Sequence, residues 1–250
     1  MSLFDTFDPD SEEILKPSSM YSPQEGFPET VVLTFSDKTI HILQDICETE
    51  TVATLRGGRP VPVYKFSWNG KDVGVFHTLI GGAGTAGLLE EALALGAKKV
   101  LLYGSCGVLD ASLAAGRFII PTAAYRDEGT SYHYMPPGDY VDVPTAQRLG
   151  EIFDELHLPY VQGRVWTTDA FYRETRNNME KRKADGCIAV DMECASVMAV
   201  AQFRGAEIYQ FIYAEDCLDG ATWDRRTLGN VSMSTREKYL RIALEVASRL

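Results

Sequence analysis

Apolar residues in this chain come as short, unbroken runs separated by amphipathic stretches, beginning at Val31. Val31–Phe35, Val73–Leu79, Val100–Tyr103, Arg117–Ile120, Val161–Trp166, Ile188–Val190 and Glu207–Tyr213 are too short for helices and read as strands. Between them, Thr39–Glu48, Thr85–Leu95, Thr145–Leu156, Arg173–Ala184 and Met192–Phe203 read as helices. Thr145–Leu156 carries a helical stripe at Leu149, Ile152, Phe153 and Leu156. Gly96 and Gly205 should stop two helices, and Pro121 a strand. A last helix is expected behind the capping box Ser234-Thr235-Arg236-Glu237, with Leu240, Ala243 and Val246 on one face. Asn69-Gly70 between Val61–Phe66 and Val73–Leu79 reads as a hairpin turn. The alternation implies one domain built on a mostly parallel sheet covered by helices, with antiparallel additions. Residues 1–28 are polar, carry prolines at 9, 17, 23 and 28, and read as an extension to a domain over 29–250.

Two runs end on small residues: Gly81-Gly82-Ala83-Gly84-Thr85-Ala86-Gly87 and Gly104-Ser105-Cys106-Gly107. Turns at the carboxyl ends of parallel strands are where open α/β sheets bind ligands, since glycine lets backbone amides approach an anion or sugar closely. The first segment satisfies GxGxxG and opens a helix, as a dinucleotide site does. Such a site also needs an acidic residue ending the next strand, to hold the adenosine ribose. Here the next strand ends in the second glycine segment, and Asp110 lies beyond it. A tight turn with close helix packing is the plainer alternative.

The chain's 250 residues carry 24 Lys and Arg against 35 Asp and Glu, a net charge of −11. That balance argues against nucleic acid or an anionic membrane as partner. Five cysteines without a CxxC pair suit free thiols in a reducing cytosol. The amino terminus has no basic, apolar leader, and no run approaches the roughly 18 apolar residues of a membrane span, so a cytoplasmic protein is expected. His41, His77, His133 and His157 are scattered, so no metal is expected.

Three further segments follow strands: Thr168-Asp169-Ala170-Phe171-Tyr172, Val190-Asp191-Met192-Glu193-Cys194-Ala195 and Ala214-Glu215-Asp216-Cys217. In a parallel sheet all three share an edge with the glycine segments. Together with Gly104-Ser105-Cys106-Gly107, and over about Val31 to the carboxyl end, this set resembles the nucleoside phosphorylase-I family. That family includes uridine phosphorylases, hexameric purine nucleoside phosphorylases and methylthioadenosine nucleosidases. The resemblance implies a three-layer αβα sandwich around a twisted, mixed sheet. It also implies cleavage of a nucleoside's N-glycosidic bond by phosphate, with no metal or organic cofactor and phosphate as co-substrate. A homo-oligomer is implied, with a dimer as minimal unit and a hexamer possible.

The transition state of that reaction is an oxocarbenium-like ribosyl cation. By resemblance, Glu193 grips the ribose hydroxyls while Met192 packs on the sugar, and Thr168, Phe171 and Gly107 complete the nucleoside site with Phe171 stacking on the base. The start of a helix should favour the ionised form of Glu193. Asp216 matches the general acid that protonates a purine ring nitrogen, with Arg225 and Arg226 orienting it or closing over the site. Phosphate falls to Ser105, Gly104, Arg126 and an Arg59 lent by a neighbouring subunit.

The sequence departs from the family at the anion pocket. The usual Gly-Asp-Pro core and following arginine are replaced by Ser36-Asp37-Lys38 and Ile40, and the arginine before the second glycine segment by Leu102. Lys38, Arg126 or His133 could compensate. The histidine that often reaches the sugar 5′-hydroxyl is absent from the Ser19, Met20, Tyr21 region, and Arg173 and Arg176 are out of phase with the pyrimidine-reading residues. Two alternatives stay open: hydrolysis by water, or a nucleoside-binding protein with impaired turnover.

Overall fold

The computed structural model describes residues 2–114 and 116–250. Met1, the first residue of the expected extension, lies outside them. The first half of the domain holds β1 (Thr30–Thr34), α1 (Asp37–Ile46), β2 (Glu50–Leu55), β3 (Val61–Trp68), β4 (Lys71–His77), α2 (Gly82–Leu95), β5 (Lys99–Val108) and a short α3 (Ala111–Ala114). The second half holds β6 (Phe118–Asp127), β7 (Tyr140–Asp142), α4 (Ala146–Glu155), β8 (Tyr160–Thr168) and α5 (Arg176–Ala184). It closes with β9 (Cys187–Asp191), α6 (Cys194–Arg204), β10 (Glu207–Cys217) and α7 (Met233–Ala247).

The sheet runs β10-β6-β8-β9-β5-β1-β4-β3-β2, with β7 on β6. Its longest ladders, β5 with β10 and β6 with β8, are parallel, while the β2–β3–β4 end is antiparallel. β10 also pairs with β5, so β10, β6, β8, β9 and β5 close into a ring. The fold is therefore the expected mixed α/β domain, with the sheet curled further than an open sandwich. Helices α1, α4 and α7 pack together on one side, and α2 packs on α6 on the other. The main core is aliphatic and aromatic, with Leu33, Phe76, Leu101, Phe153 and Phe211 at most 1% exposed.

The hairpin forms as its turn residues dictate: Asn69 and Gly70 have φ of 51° and 76°, and Trp68 pairs with Lys71. Several ends differ from the sequence reading. β5 does not stop at Tyr103 but runs through Gly104-Ser105-Cys106-Gly107, because β10 and β9 flank this stretch and supply ladder partners. β6 passes through Pro121, where a register shift between Pro121 and Ala123 absorbs the missing N–H. The last helix starts at Met233, and Ser232, not Ser234, is its cap, accepting from the Thr235 amide at 3.2 Å. β2 and β7 are short and polar enough to escape the periodicity.

Residues 2–28 lie against the domain. The Tyr21 hydroxyl donates to Glu91 at 2.9 Å, the Gln24 amide to the Leu95 carbonyl at 2.9 Å, and Arg204 pairs with Glu13 at 2.8 Å. Among the described residues no helix is long and apolar enough to cross a membrane.

Candidate active site

The carboxyl ends of β5, β8, β9 and β10 meet around Gly107. Val190 on β9 and Asp216 on β10 both register with it, one on each side. Neighbouring strands lie about 4.8 Å apart, which sets Asp216 and the turn that begins at Val190 about 10 Å from each other. A Cβ at position 107 would lie 2.6 Å from Leu218, 2.9 Å from Val190 and 3.3 Å from Asp216 Oδ1, so a glycine is needed there.

A bulge decides which way Asp216 faces. Ala214 registers with Cys106 and Asp216 with Gly107, so Glu215 is a surplus residue in β10. Side chains alternate along a strand, and one extra residue reverses the alternation. Asp216 thereby shares a sheet face with Gly107 and Ser105. Its Oδ2 accepts from the Trp223 indole at 2.6 Å, and an isolated bridge between Cys217 and Asp224 holds that loop in place. Burial pushes the Asp216 carboxyl above its ordinary value, against the Trp223 bond and the charge of Arg226.

The two carboxylates of Val190-Asp191-Met192-Glu193 part company. Asp191 turns inward and ties three strands to a helix. It accepts from Thr167 on β8 at 2.7 Å, Gln210 on β10 at 3.1 Å and the Cys194 amide at the start of α6 at 2.8 Å. Glu193 reaches across to the first glycine segment, where Oε1 accepts the Gly81 N–H at 2.7 Å. Gly81 has φ of 95° and caps α2, while a Cβ on Gly82 would sit 2.0 Å from Ser196 Oγ. The GxGxxG segment thus serves a tight turn and close α2–α6 contact, and its amide serves the protein's own carboxylate.

Glu193 is 7% exposed. Burial first, and the neighbouring Asp191 second, push its carboxyl up, against the Gly81 bond. The helix start was expected to favour ionisation, but desolvation outweighs it. The Cys106 thiol beneath the site is raised by burial and by Asp191, Asp216 and Glu215, which places these acids around one strand end.

The sequence model of the phosphorylase superfamily matches residues 29–248. The chain belongs to that superfamily. A guanosine phosphorylase of Halorubrum lacusprofundi is 30% identical over 171 residues, covering 65% of this chain and 68% of that protein. The crystal structure of a purine nucleoside phosphorylase from Toxoplasma gondii with immucillin-H superposes with a TM-score of 0.74 at 20% identity, over 97% of this chain and 98% of that one. The AMP nucleosidase of Bacteroides thetaiotaomicron superposes with a TM-score of 0.71 at 19% identity, over 89% and 88% of the two chains.

The expected site residues do not all converge on one spot. Glu193, Met192, Thr168, Gly107 and Asp216 stand at the strand ends just described. Phe171, 48% exposed beyond β8, has its ring 4.1 Å from that of Tyr172. Arg226 lies near enough to Asp216 to favour its charge, whereas Arg225 donates to the Leu228 carbonyl at 3.2 Å. Ser105 is exposed on β5, and Gly104 before it is a buried strand residue opposite Ile212.

The two arginines expected at the phosphate are engaged within the chain. Arg126 is 3% exposed and donates to Ser131 Oγ at 2.8 Å and the Pro136 carbonyl at 2.7 Å, with Tyr132 under its guanidinium. Arg59 meets the Nδ1 of its own chain's His77 at 2.9 Å.

Two neighbours of Asp216 escaped the sequence reading. One is Trp223. The other is Glu174, whose carboxyl is pushed from 4.5 to about 7 by burial and by Asp216. A glutamate between a 3₁₀ turn and a very polar helix reads as solvated surface, and nothing local announces that it is half-buried beside Asp216.

Proposed function

We propose that this protein is a nucleoside phosphorylase, cleaving the N-glycosidic bond of a purine or pyrimidine nucleoside with phosphate to give free base and ribose 1-phosphate. The observation that carries the reading is that Val190, three residues before Glu193, and Asp216 register with Gly107 from either side, so that both acid-bearing segments stand at one strand edge. As the C1′–N bond breaks, its electron pair goes to the base and C1′ becomes cationic. Protonated Asp216 gives its proton to a base nitrogen, so the base leaves neutral. Burial, by raising that carboxyl, favours the proton-bearing form. A phosphate oxygen then bonds to C1′.

Glu193 keeps Oε2 for the ribose hydroxyls while Oε1 stays on Gly81. Its enclosed charge is costly in the empty site and is stabilised as the ribosyl cation develops, so the interaction is stronger in the transition state than before it. Met192 packs beside the sugar, Thr168 lines the same edge, and Phe171 covers the base. Asp216 favours a purine. Ile80, Phe171 and Tyr172, exposed by 70%, 48% and 88%, suit an assembly of at least two copies.

Hydrolysis is the second reading, favoured by Ile40 and Leu102 where phosphorylases of this family carry arginine. Incubation with purine and pyrimidine nucleosides, with and without phosphate, tests both. Free base that appears only with phosphate, together with ribose 1-phosphate, is the expected result. Equal release without phosphate makes the protein a nucleosidase, and tight binding without release makes it a binding protein.

A further inference from the structure

The strand edge between β1 and β5 lies beside the acidic edge and carries no arginine of its own at Ile40 or Leu102. β1 ends with Thr34 in register with Tyr103, and a Cβ on Gly104 would lie 2.8 Å from the Phe35 ring, so Ser36 follows β1 alongside the part of β5 that bears Ser105. Ser105 also registers with Tyr213 on β10. Alternation puts Tyr103, Ser105 and Tyr213 on one face of the sheet. α7 packs on that face at Tyr213, whose ring lies 4.2 Å from the Tyr239 ring, while Tyr103 stacks on Phe211 of β10 at 5.5 Å.

Arg236 stands three residues before Tyr239 on α7, hence on the same side of the helix. Its Nη1 donates to Ser36 Oγ at 3.1 Å and its Nε to the Val231 carbonyl at 3.3 Å. These bonds aim the guanidinium at the β1–β5 edge and leave Nη2 without a hydrogen-bond partner among the described residues. Arg236 is half-buried there. Its charge opposes the burial that raises the Glu215 carboxyl and the Tyr103 and Tyr213 hydroxyls, so it lies within reach of all three.

We propose that Arg236 supplies the cationic partner of the co-substrate oxyanion, held between the Ser36 and Ser105 hydroxyls, in place of the arginines absent at Ile40 and Leu102. This rests on the phosphorolysis reading given above. A planar guanidinium can give two parallel N–H bonds to one phosphate face, so a single arginine brought in from α7 can replace much of what two others would provide. Glu215, a carboxylate within the field of Arg236, is buried and already accepts from the Gly229 amide, which leaves Nη2 of the guanidinium to a ligand.

Steady-state kinetics with inorganic phosphate varied at saturating nucleoside tests the assignment on wild type, Arg236→Gln, Arg236→Lys, Ser36→Ala and, as a control on the same helix, Arg241→Gln. Arg236→Gln should raise the phosphate KM on the order of 10- to 100-fold with the nucleoside KM held within about twofold. Arg236→Lys should recover part of the loss, Ser36→Ala should lose less, and Arg241→Gln should match wild type. Stabilisation by inorganic phosphate in thermal denaturation should follow the same order, and a melting temperature near wild type in its absence shows that α7 is intact. A phosphate-dependent wild type whose KM for phosphate is unchanged in Arg236→Gln overturns the assignment alone. A wild type that releases base equally well without phosphate overturns the phosphorolysis reading, and the assignment falls with it. If Arg236→Gln fails to fold, the comparison of Ser36→Ala and Arg236→Lys with wild type decides by the same criterion.

Discussion

At the acidic edge between β9 and β10, each central group stands on a strand end or in the turn right after it. At the edge between β1 and β5, the guanidinium comes from α7, 200 residues beyond the Ser36 it touches. The acids are therefore positioned by the sheet itself. Asp191 pins three strands together, the β10 bulge turns Asp216, and α2 offers Glu193 a fixed amide. The cation is positioned by how a terminal helix packs. Errors in the two edges should consequently show up in different observables: turnover at the first, co-substrate affinity at the second.

The sharpest way to break that contrast is at the acids. Glu193→Gln and Asp216→Asn should each lower kcat/KM by about 10²-fold or more, while the thermal stabilisation given by inorganic phosphate survives. Base release by either variant within a few-fold of wild type removes that acid from the chemistry. If instead phosphate stabilisation disappears along with turnover, the two edges are not separable.

A finer cut is Trp223→Phe, which keeps the ring and deletes the N–H on Asp216. That bond favours the carboxylate, so its loss should raise the Asp216 pKa and move the alkaline limb of kcat/KM to higher pH. Asp216 is partly exposed, so the displacement should be modest, about half to one pH unit. A limb that stays put, or moves down, means that the indole does not govern the acid.

The smallest effect concerns stability. The Glu174 carboxyl sits at about 7 in the folded protein against an ordinary 4.5. Folding thus favours its protonated form, so its contribution is intact below about 4.5 and is lost as pH rises through about 7. Glu193, raised in the same direction, adds to the decline. Glu174→Gln should melt higher than wild type above neutrality and equal to it in mild acid, as followed by thermal denaturation. Parallel melting curves at all pH values would show that Glu174 is solvated.

How much of this was legible in the sequence follows the same division. The Val190-Asp191-Met192-Glu193 and Gly104-Ser105-Cys106-Gly107 segments could be read directly, because strand-end chemistry is contiguous in the chain. Their strand context was harder to read: apolar content suggested that β5 stops at Tyr103, and nothing local reveals that β10 and β9 will pair with the glycines beyond it. Trp223, Glu174 and Arg236 were invisible as site residues for one physical reason. Each is placed by tertiary packing that periodicity does not encode. Arg236 even sat inside a segment read as a capping box, where a charged residue needs no further explanation. Arg126 went the other way: in a polar segment it looked available, yet Ser131 and the Pro136 carbonyl engage it.

The surplus residue at Glu215 governs how this acidic edge can change over time. Along a pleated strand, odd and even positions look to opposite sides, so inserting or deleting one residue between Tyr213 and Asp216 exchanges the acid for its neighbour without altering a single codon elsewhere. The acid presented at this edge can therefore change through chain length at one spot, a route that substitution alone does not offer.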